Sequence, residues 1–206
     1  VLGLFGNVKQ TDLAAVNNIL HVLNIVVPQL QISYSDNPND VNLPIHFASC
    51  TKRFSELVND CKGKYAGLFY HSHDRFDEAK FGWIWVDSQY GRSAREHILI
   101  HELGHALGLG HNLCRYSVMS YADYADSVPY FTEIDLMQLR LLYDQKLRDH
   151  MYSYQVIEEL ELNKEVYSEY DSNKKPMCSP QQSGWKGLVD FQKGLKTVEE
   201  ILNEGN

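Results

Sequence analysis

The sequence predicts an α+β fold. Three observations carry the prediction. Apolar residues recur at helical spacing near the start of the chain and again near its end. Apolar runs with strand character lie between those segments. A capped helix rich in histidine follows the last of these runs.

The elements follow in order. Thr11 or Asp12 can cap a first helix in which Leu13, Val16, Ile19, Leu20, Leu23, Val26 and Val27 share one face, and Pro28 stops it. Residues 30–34 and 43–48 read as extended segments, separated by the turn-forming cluster Ser35-Asp36-Asn37-Pro38-Asn39-Asp40. A short helix is expected near 54–58. Residues 65–71 read as a strand. Residues 81–86 read as another, with Phe81, Trp83 and Trp85 alternating against Ile84 and Val86. Core packing is the simpler reading of the two tryptophans, and a substrate platform is the other. Ser93-Ala94-Arg95-Glu96 is a capping box, so the next helix is expected to start at Ser93 or beside it, with Leu99, Leu103, Ala106 and Leu107 on its apolar side. Residues 168–184 are polar and read as loop. Trp185, Leu188, Val189, Leu195, Val198, Ile201 and Leu202 fit one face of a terminal helix. There is no internal repeat.

The capped helix runs into HELGHALGLGH, from His101 to His111. His101 and His105 are four apart, which puts both imidazoles on one helical face, a turn apart. Glu102 lies about 100° around the helix from His101. A carboxylate there can reach a water beside a bound ion without ligating the ion. His111 cannot share the same straight helix and the same ion, so the chain must turn first. Gly108 and Gly110 allow that turn, because a glycine just past the last helical turn takes the left-handed conformation readily. His97, His101 and His105 also form a stripe. Two turns span roughly 11 Å while zinc–nitrogen bonds are about 2 Å, so those three cannot converge on one ion. His97 is therefore read as a first-turn residue rather than a ligand. Three neutral imidazoles on Zn²⁺ leave a fourth position open, which marks a catalytic rather than a structural site. At this composition a Gly at 108 and a His at 111 coincide by chance about once in 360, which weakens the reading as a merely His-rich helix. His71 and His73, two apart, would point to one side of a strand. With Asp74 they could bind a second metal; an exposed pair is the plainer reading.

HExxHxxGxxH resembles the zinc signature of the metzincin clan of metallopeptidases. Ser117-Val118-Met119-Ser120-Tyr121 is similar to the clan's Met-turn, and its SxMxY form resembles the astacin and serralysin branches. Residues 131–143, FTEIDLMQLRLLY, are similar to the clan's last catalytic-domain helix. Asn112 matches none of the residues that astacins, adamalysins, matrixins or serralysins carry after the third His, so the branch stays open. The resemblance implies a metzincin-like zinc-protease fold. The catalytic domain would span 1–150. Its upper subdomain, about 1–110, would hold a mixed, mostly parallel twisted sheet and two long helices. Its smaller, irregular lower subdomain, about 111–150, would hold a helix over 132–149. Residues 151–206 would be an extension whose terminal helix packs on the catalytic domain. The resemblance also implies a zinc-dependent endopeptidase with one catalytic Zn²⁺ on His101, His105 and His111. Glu102 would be the general base, Met119 a floor under the zinc, and Tyr121 a neighbour of the metal that helps hold the oxyanion. Gly108 would be structural near the site. Peptide or protein substrates would lie as an added strand along 81–86. Two other classes are weighed: a zinc-binding module without turnover, against which the intact Glu102 argues, and a structural protein that binds no metal.

The chain of 206 residues is long enough for one sizeable core, and 44% hydrophobic with 22% charged residues is an ordinary globular composition. A net charge of −8 argues against nucleic acid or an acidic membrane as the main partner. The apolar stretches are too short to span a bilayer, and a monomer is expected. No signal peptide is visible, yet the chain starts at Val1, as it would if a leader or pro-segment had been removed or left out. Four cysteines allow three pairings, and none has the spacing of a second zinc site. Cys50–Cys61 and Cys114–Cys178 are favoured over four thiols in a cytosolic protein, which implies a secreted or otherwise extracytoplasmic chain.

Overall fold

The computed structural model of the chain describes residues 1–50, 61, 66–73, 79–120, 128–164 and 178–204. They group into two compact units, 1–20 with 32–108, and 21–31 with 109–206.

The first unit is built on one sheet of four strands: β1 (Leu2–Gly6), β2 (Leu43–Ala48), β3 (Gly67–His73) and β4 (Ala79–Asp87). The order is β1-β2-β4-β3. β1, β2 and β4 are parallel, and β3 is antiparallel to β4. The sheet is thus mixed and mostly parallel, within the α+β class expected. β1 was not expected, because two glycines among its five residues depress strand propensity; its pairing with β2 overrides that. Residues 30–34 do not form the expected strand. Gln31 has a φ of +44°, which breaks an extended run, and only Tyr34 bridges to Leu2. The strand expected at 65–71 starts at Gly67 and runs to His73. The helix expected at 54–58 lies outside the described residues.

β4 pairs with β2 through Ile84–Asp87 and with β3 along its length, so Ile84–Val86 are engaged on both sides, while Phe81–Trp83 pair with β3 alone among the described strands. The expectation of a substrate strand added along 81–86 therefore fails for 84–86, where both rows of backbone groups are already engaged. Among the described strands the outer one on that side is β3.

Alternation places Ile45 and Phe47 of β2 beside Ile84 and Val86 of β4 on one buried face. Helix α2 (Arg92–Ala106) packs on β3 and β4. On the opposite face Trp85 is fully buried against Cys61, and its Nε1–H donates to Ala48 O at 2.8 Å. The Cys50–Cys61 disulfide, with Cα atoms 5.8 Å apart, closes beside it. Half-buried Trp83 stacks on Tyr70 at 5.6 Å between centroids. Both tryptophans therefore pack within the sheet.

Helix α1 (Gln10–Val26) buries Val16, Ile19, Leu20, Leu23 and Val26, and it ends before Pro28 as expected. Asp12 accepts from the Lys9 N–H at 2.7 Å. It also forms a buried ion pair with Arg95 of α2, whose guanidinium donates further to Ser88 O and Asn7 O. Both partners are almost wholly removed from solvent.

The second unit contains α3 (Glu133–Leu142), α4 (Ser153–Glu159), a 3-10 turn at Pro180–Ser183 and α5 (Leu188–Glu204). α3 touches both α5 and the 3-10 turn. The helix expected over 132–149 stops at Leu142. The Asp144 side chain accepts from Lys146 N–H at 3.0 Å, and this local turn competes with continued helix. On α5 Phe191 and Val198 are buried and Leu188 and Leu195 are half-buried, while Val189, Ile201 and Leu202 are exposed. The expected apolar face is thus used in part, with Phe191 added to it. The second expected disulfide, Cys114–Cys178, is not formed in the structure: both are free cysteines, Cys114 buried and Cys178 exposed. Among the described residues no helix is long and apolar enough to cross a membrane.

Candidate metal centre

Helix α2 starts one residue before the predicted box. Gly91 is the N-cap, no side chain caps it, and Glu96 pairs instead with Arg92 at 2.8 Å. The early start places Ser93 inside the first turn, where it cannot act as the cap. Ile98, Leu99, Ile100 and Leu103 are buried, which fixes the helix on the sheet and sets the direction of His101 and His105. The helix closes at Leu107, whose N–H bonds Leu103 O at 2.9 Å. Gly108 follows with a φ of +93°, and its N–H donates to His105 O at 2.9 Å. Gly108 alone carries the reversal; Gly110 is not left-handed.

After that turn, one ring nitrogen from each of His101, His105 and His111 lies within 4.8 Å of the other two. The Nε2 atoms of His101 and His105 are 3.1 Å apart, with the two rings at 90°. Tetrahedral zinc with bonds of about 2.0–2.1 Å requires nitrogens roughly 3.4 Å apart, so the donor set fits that ion. His101 and His105 are half-buried, and His111 is exposed. His97 is outside this set, its ring centroid 6.1 Å from that of His101.

Glu102 is buried on the same helix, at 8% exposure. Burial pushes its carboxyl up to about 7, and a backbone hydrogen bond from Phe69 of β3 works in the opposite direction. Gly67 makes this approach feasible. A Cβ there would collide with Ile98 and come within 3.0 Å of Glu102. Sequence reasoning did not single out Gly67, because a glycine opening a strand has no pattern of its own.

The segment after His111 is held by side chains. Asn112 N–H donates to Met119 O at 3.0 Å, and Asn112 Nδ2 donates to Ser117 Oγ at 2.7 Å. Ser117 Oγ donates in turn to Asp135. Fully buried Asp135 also accepts from the Val118 N–H, the Thr132 N–H and the Thr132 hydroxyl at 2.7–3.0 Å. One carboxylate thus caps α3 and fixes the turn that carries buried Met119. Thr132 and Asp135, three apart at a helix start, were the available signal for it. Tyr121 and Asp74 lie outside the described residues, as does the side chain of His73; His71 stacks on Phe69 at 5.0 Å.

A trio of imidazoles with a buried carboxylate on the ligand helix can hold zinc with one position open, as in the class of metal-dependent hydrolases. Within it, the Matrixin family model matches residues 8–144, about two thirds of the chain, and the chain belongs to the matrixin family of zinc metallopeptidases in the metzincin clan. The astacin- and serralysin-like form of residues 117–121 is a likeness of that turn alone. Comparison with curated proteins gave no match.

Proposed function

We propose that this matrixin-family chain is a zinc-dependent endopeptidase holding one catalytic zinc ion on His101, His105 and His111. The observation that carries the proposal is the convergence of three imidazole nitrogens beside a buried carboxylate on the same helix. When bound, the ion supplies a Lewis acid that polarises the scissile carbonyl and makes a water more acidic. Glu102 accepts a proton from the attacking water on a carboxylate oxygen and returns it to the nitrogen of the leaving amine. The Phe69 N–H orients that carboxylate, and Gly67 leaves the room in which it sits. By resemblance, Met119 lies beneath the site and the Tyr121 phenol donates to the oxyanion. Matrixin-like turns carry Pro at the place of Tyr121, so the phenol is an addition of this chain. The Cys50–Cys61 disulfide supports a secreted or otherwise extracytoplasmic location.

A zinc-binding module without turnover would not need a base at 102. Glu102→Gln separates the two readings, since the amide keeps the shape but cannot take the proton. The variant is expected to fold and retain zinc while hydrolysis of a peptide library falls by roughly 10²-fold or more. A variant with most of the wild-type kcat would exclude Glu102 as the base.

A further inference from the structure

His101 and His105 ride on α2, whereas His111 is exposed and lies beyond the end of that helix. The chain before His111 gives it little support. Leu109 is buried, but Gly110 stands between the two, and a Cβ added at Gly110 would meet nothing within 4 Å. The residue after His111 is held at three points. Asn112 N–H donates to Met119 O at 3.0 Å, Asn112 Oδ1 accepts from Cys114 N–H at 2.9 Å, and Asn112 Nδ2 donates to Ser117 Oγ at 2.7 Å. Ser117 is wholly buried, and its hydroxyl is saturated. Its oxygen accepts from Asn112 Nδ2 and, at 2.9 Å, from Met119 N–H, while its single proton goes to Asp135. Asp135 is itself fully buried in the first turn of α3.

These partners set the chemistry required at position 112. The atom facing Cys114 must accept a hydrogen bond, and the atom facing Ser117 must donate one. A carboxamide does both. Turned over, it would set Nδ2 against an N–H and Oδ1 against a hydroxyl whose proton is already committed. A carboxylate keeps the bond from Cys114 and lacks the one to Ser117. We propose that Asn112 is a positioning residue for the third metal ligand: its amide ties the backbone beside His111 to the buried pair of Ser117 and Asp135 and holds that imidazole ready for zinc. The inference rests on the zinc reading above. One planar peptide joins residues 111 and 112, so an anchor at Asn112 limits the travel of His111. A ligand held in place before the ion arrives loses less freedom on binding it, which raises affinity. The effect therefore reaches metal binding by way of the loop and needs no contact between Asn112 and the ion.

The test uses the full chain, stripped of metal and titrated near neutral pH with Zn²⁺ against a competing chelator, and separately with Co²⁺ while its visible absorption is recorded. The main variant is Asn112→Asp, which keeps the shape and the bond from Cys114 and loses only the donor to Ser117. It should melt close to wild type without metal, bind zinc about 10-fold more weakly or worse, and show a weakened tetrahedral cobalt band. Ser117→Ala removes the same contact from its other end and should weaken zinc binding in the same direction. The double variant Asn112→Asp/Ser117→Ala should bind zinc no more weakly than the worse of the two single ones, because both remove one interaction. Wild-type zinc affinity and cobalt absorption in Asn112→Asp would overturn the inference, and so would a lowered melting temperature with unchanged affinity, which is the mark of a merely structural residue. Additive losses in the double variant would also overturn it. A wild-type chain that takes up neither Zn²⁺ nor Co²⁺ would remove the zinc reading itself, and this inference with it.

Discussion

Glu102 sits where it does because residue 67 has no side chain. A buried carboxylate held on a strand amide is a positioned proton acceptor, and its position depends on how closely α2 approaches β3. In Gly67→Ala the new methyl meets Ile98 and Glu102, and the helix must shift outward. The expected outcome is a loss of about 1–3 kcal/mol in stability, as for other overpacked sites. Peptide hydrolysis should fall by up to about 10²-fold, since a displacement near 1 Å is enough for that. Zinc content should stay near wild type, because the shift moves His101 and His105 together. Denaturant melts, steady-state kinetics and a zinc assay on one preparation decide it. Unchanged kcat with unchanged stability would mean that the close approach is slack.

At the scale of the element, the sheet makes two expectations. β3 is the outer described strand beside Glu102, so a non-cleavable substrate peptide should slow amide exchange in β3 and leave interior β4 nearly as it was. Protection confined to β4 would refute this. The second expectation concerns His46 on β2, half-buried, with its ring stacked on Phe5 at 5.4 Å and edge-on to Trp83 at 6.4 Å. Burial lowers its pKa below the usual imidazole value. In the unfolded chain it titrates near ~6.5. As pH falls through that value, the unfolded state takes up a proton that the folded state resists, so stability falls with it. The contribution is fully present above the unfolded pKa and is lost on acidification towards the folded one. His46→Gln should flatten the stability profile between pH 7 and 5. A profile of identical slope in the variant would remove His46 from the acid response.

For the molecule as a whole, the first unit is tied together by the buried pair of Asp12 and Arg95, far apart in sequence. Arg95 also serves two backbone carbonyls, so its charge and four of its five N–H donors are used. Asp12→Ala would leave a buried guanidinium without its counter-charge, an expected cost of about 3–5 kcal/mol. Thermal melts of the zinc-loaded chain test this. A Tm within a degree or two of wild type would show that the pair is neutral to stability.

Much of this protein is local information and could be read from the chain. The helical period of α1, the alternation in β4 and the offsets from His101 to His111 are short-range patterns fixed by backbone geometry. The matrixin match over residues 8–144 agrees with the zinc-peptidase class read from that motif. What the sequence could not supply was long-range. β1 becomes a strand only when β2 pairs with it, and β4 becomes interior only when β3 folds back along it. The reach of Gly67 to Glu102, of Asp12 to Arg95 and of Ser117 to Asp135 depends on elements meeting in space, and no window of sequence contains both partners of the first two. The cysteines show the same division. Sequence spacing suggested two pairs, but only the tertiary structure shows Cys50 joined to Cys61 and leaves Cys114 buried and Cys178 exposed without a disulfide.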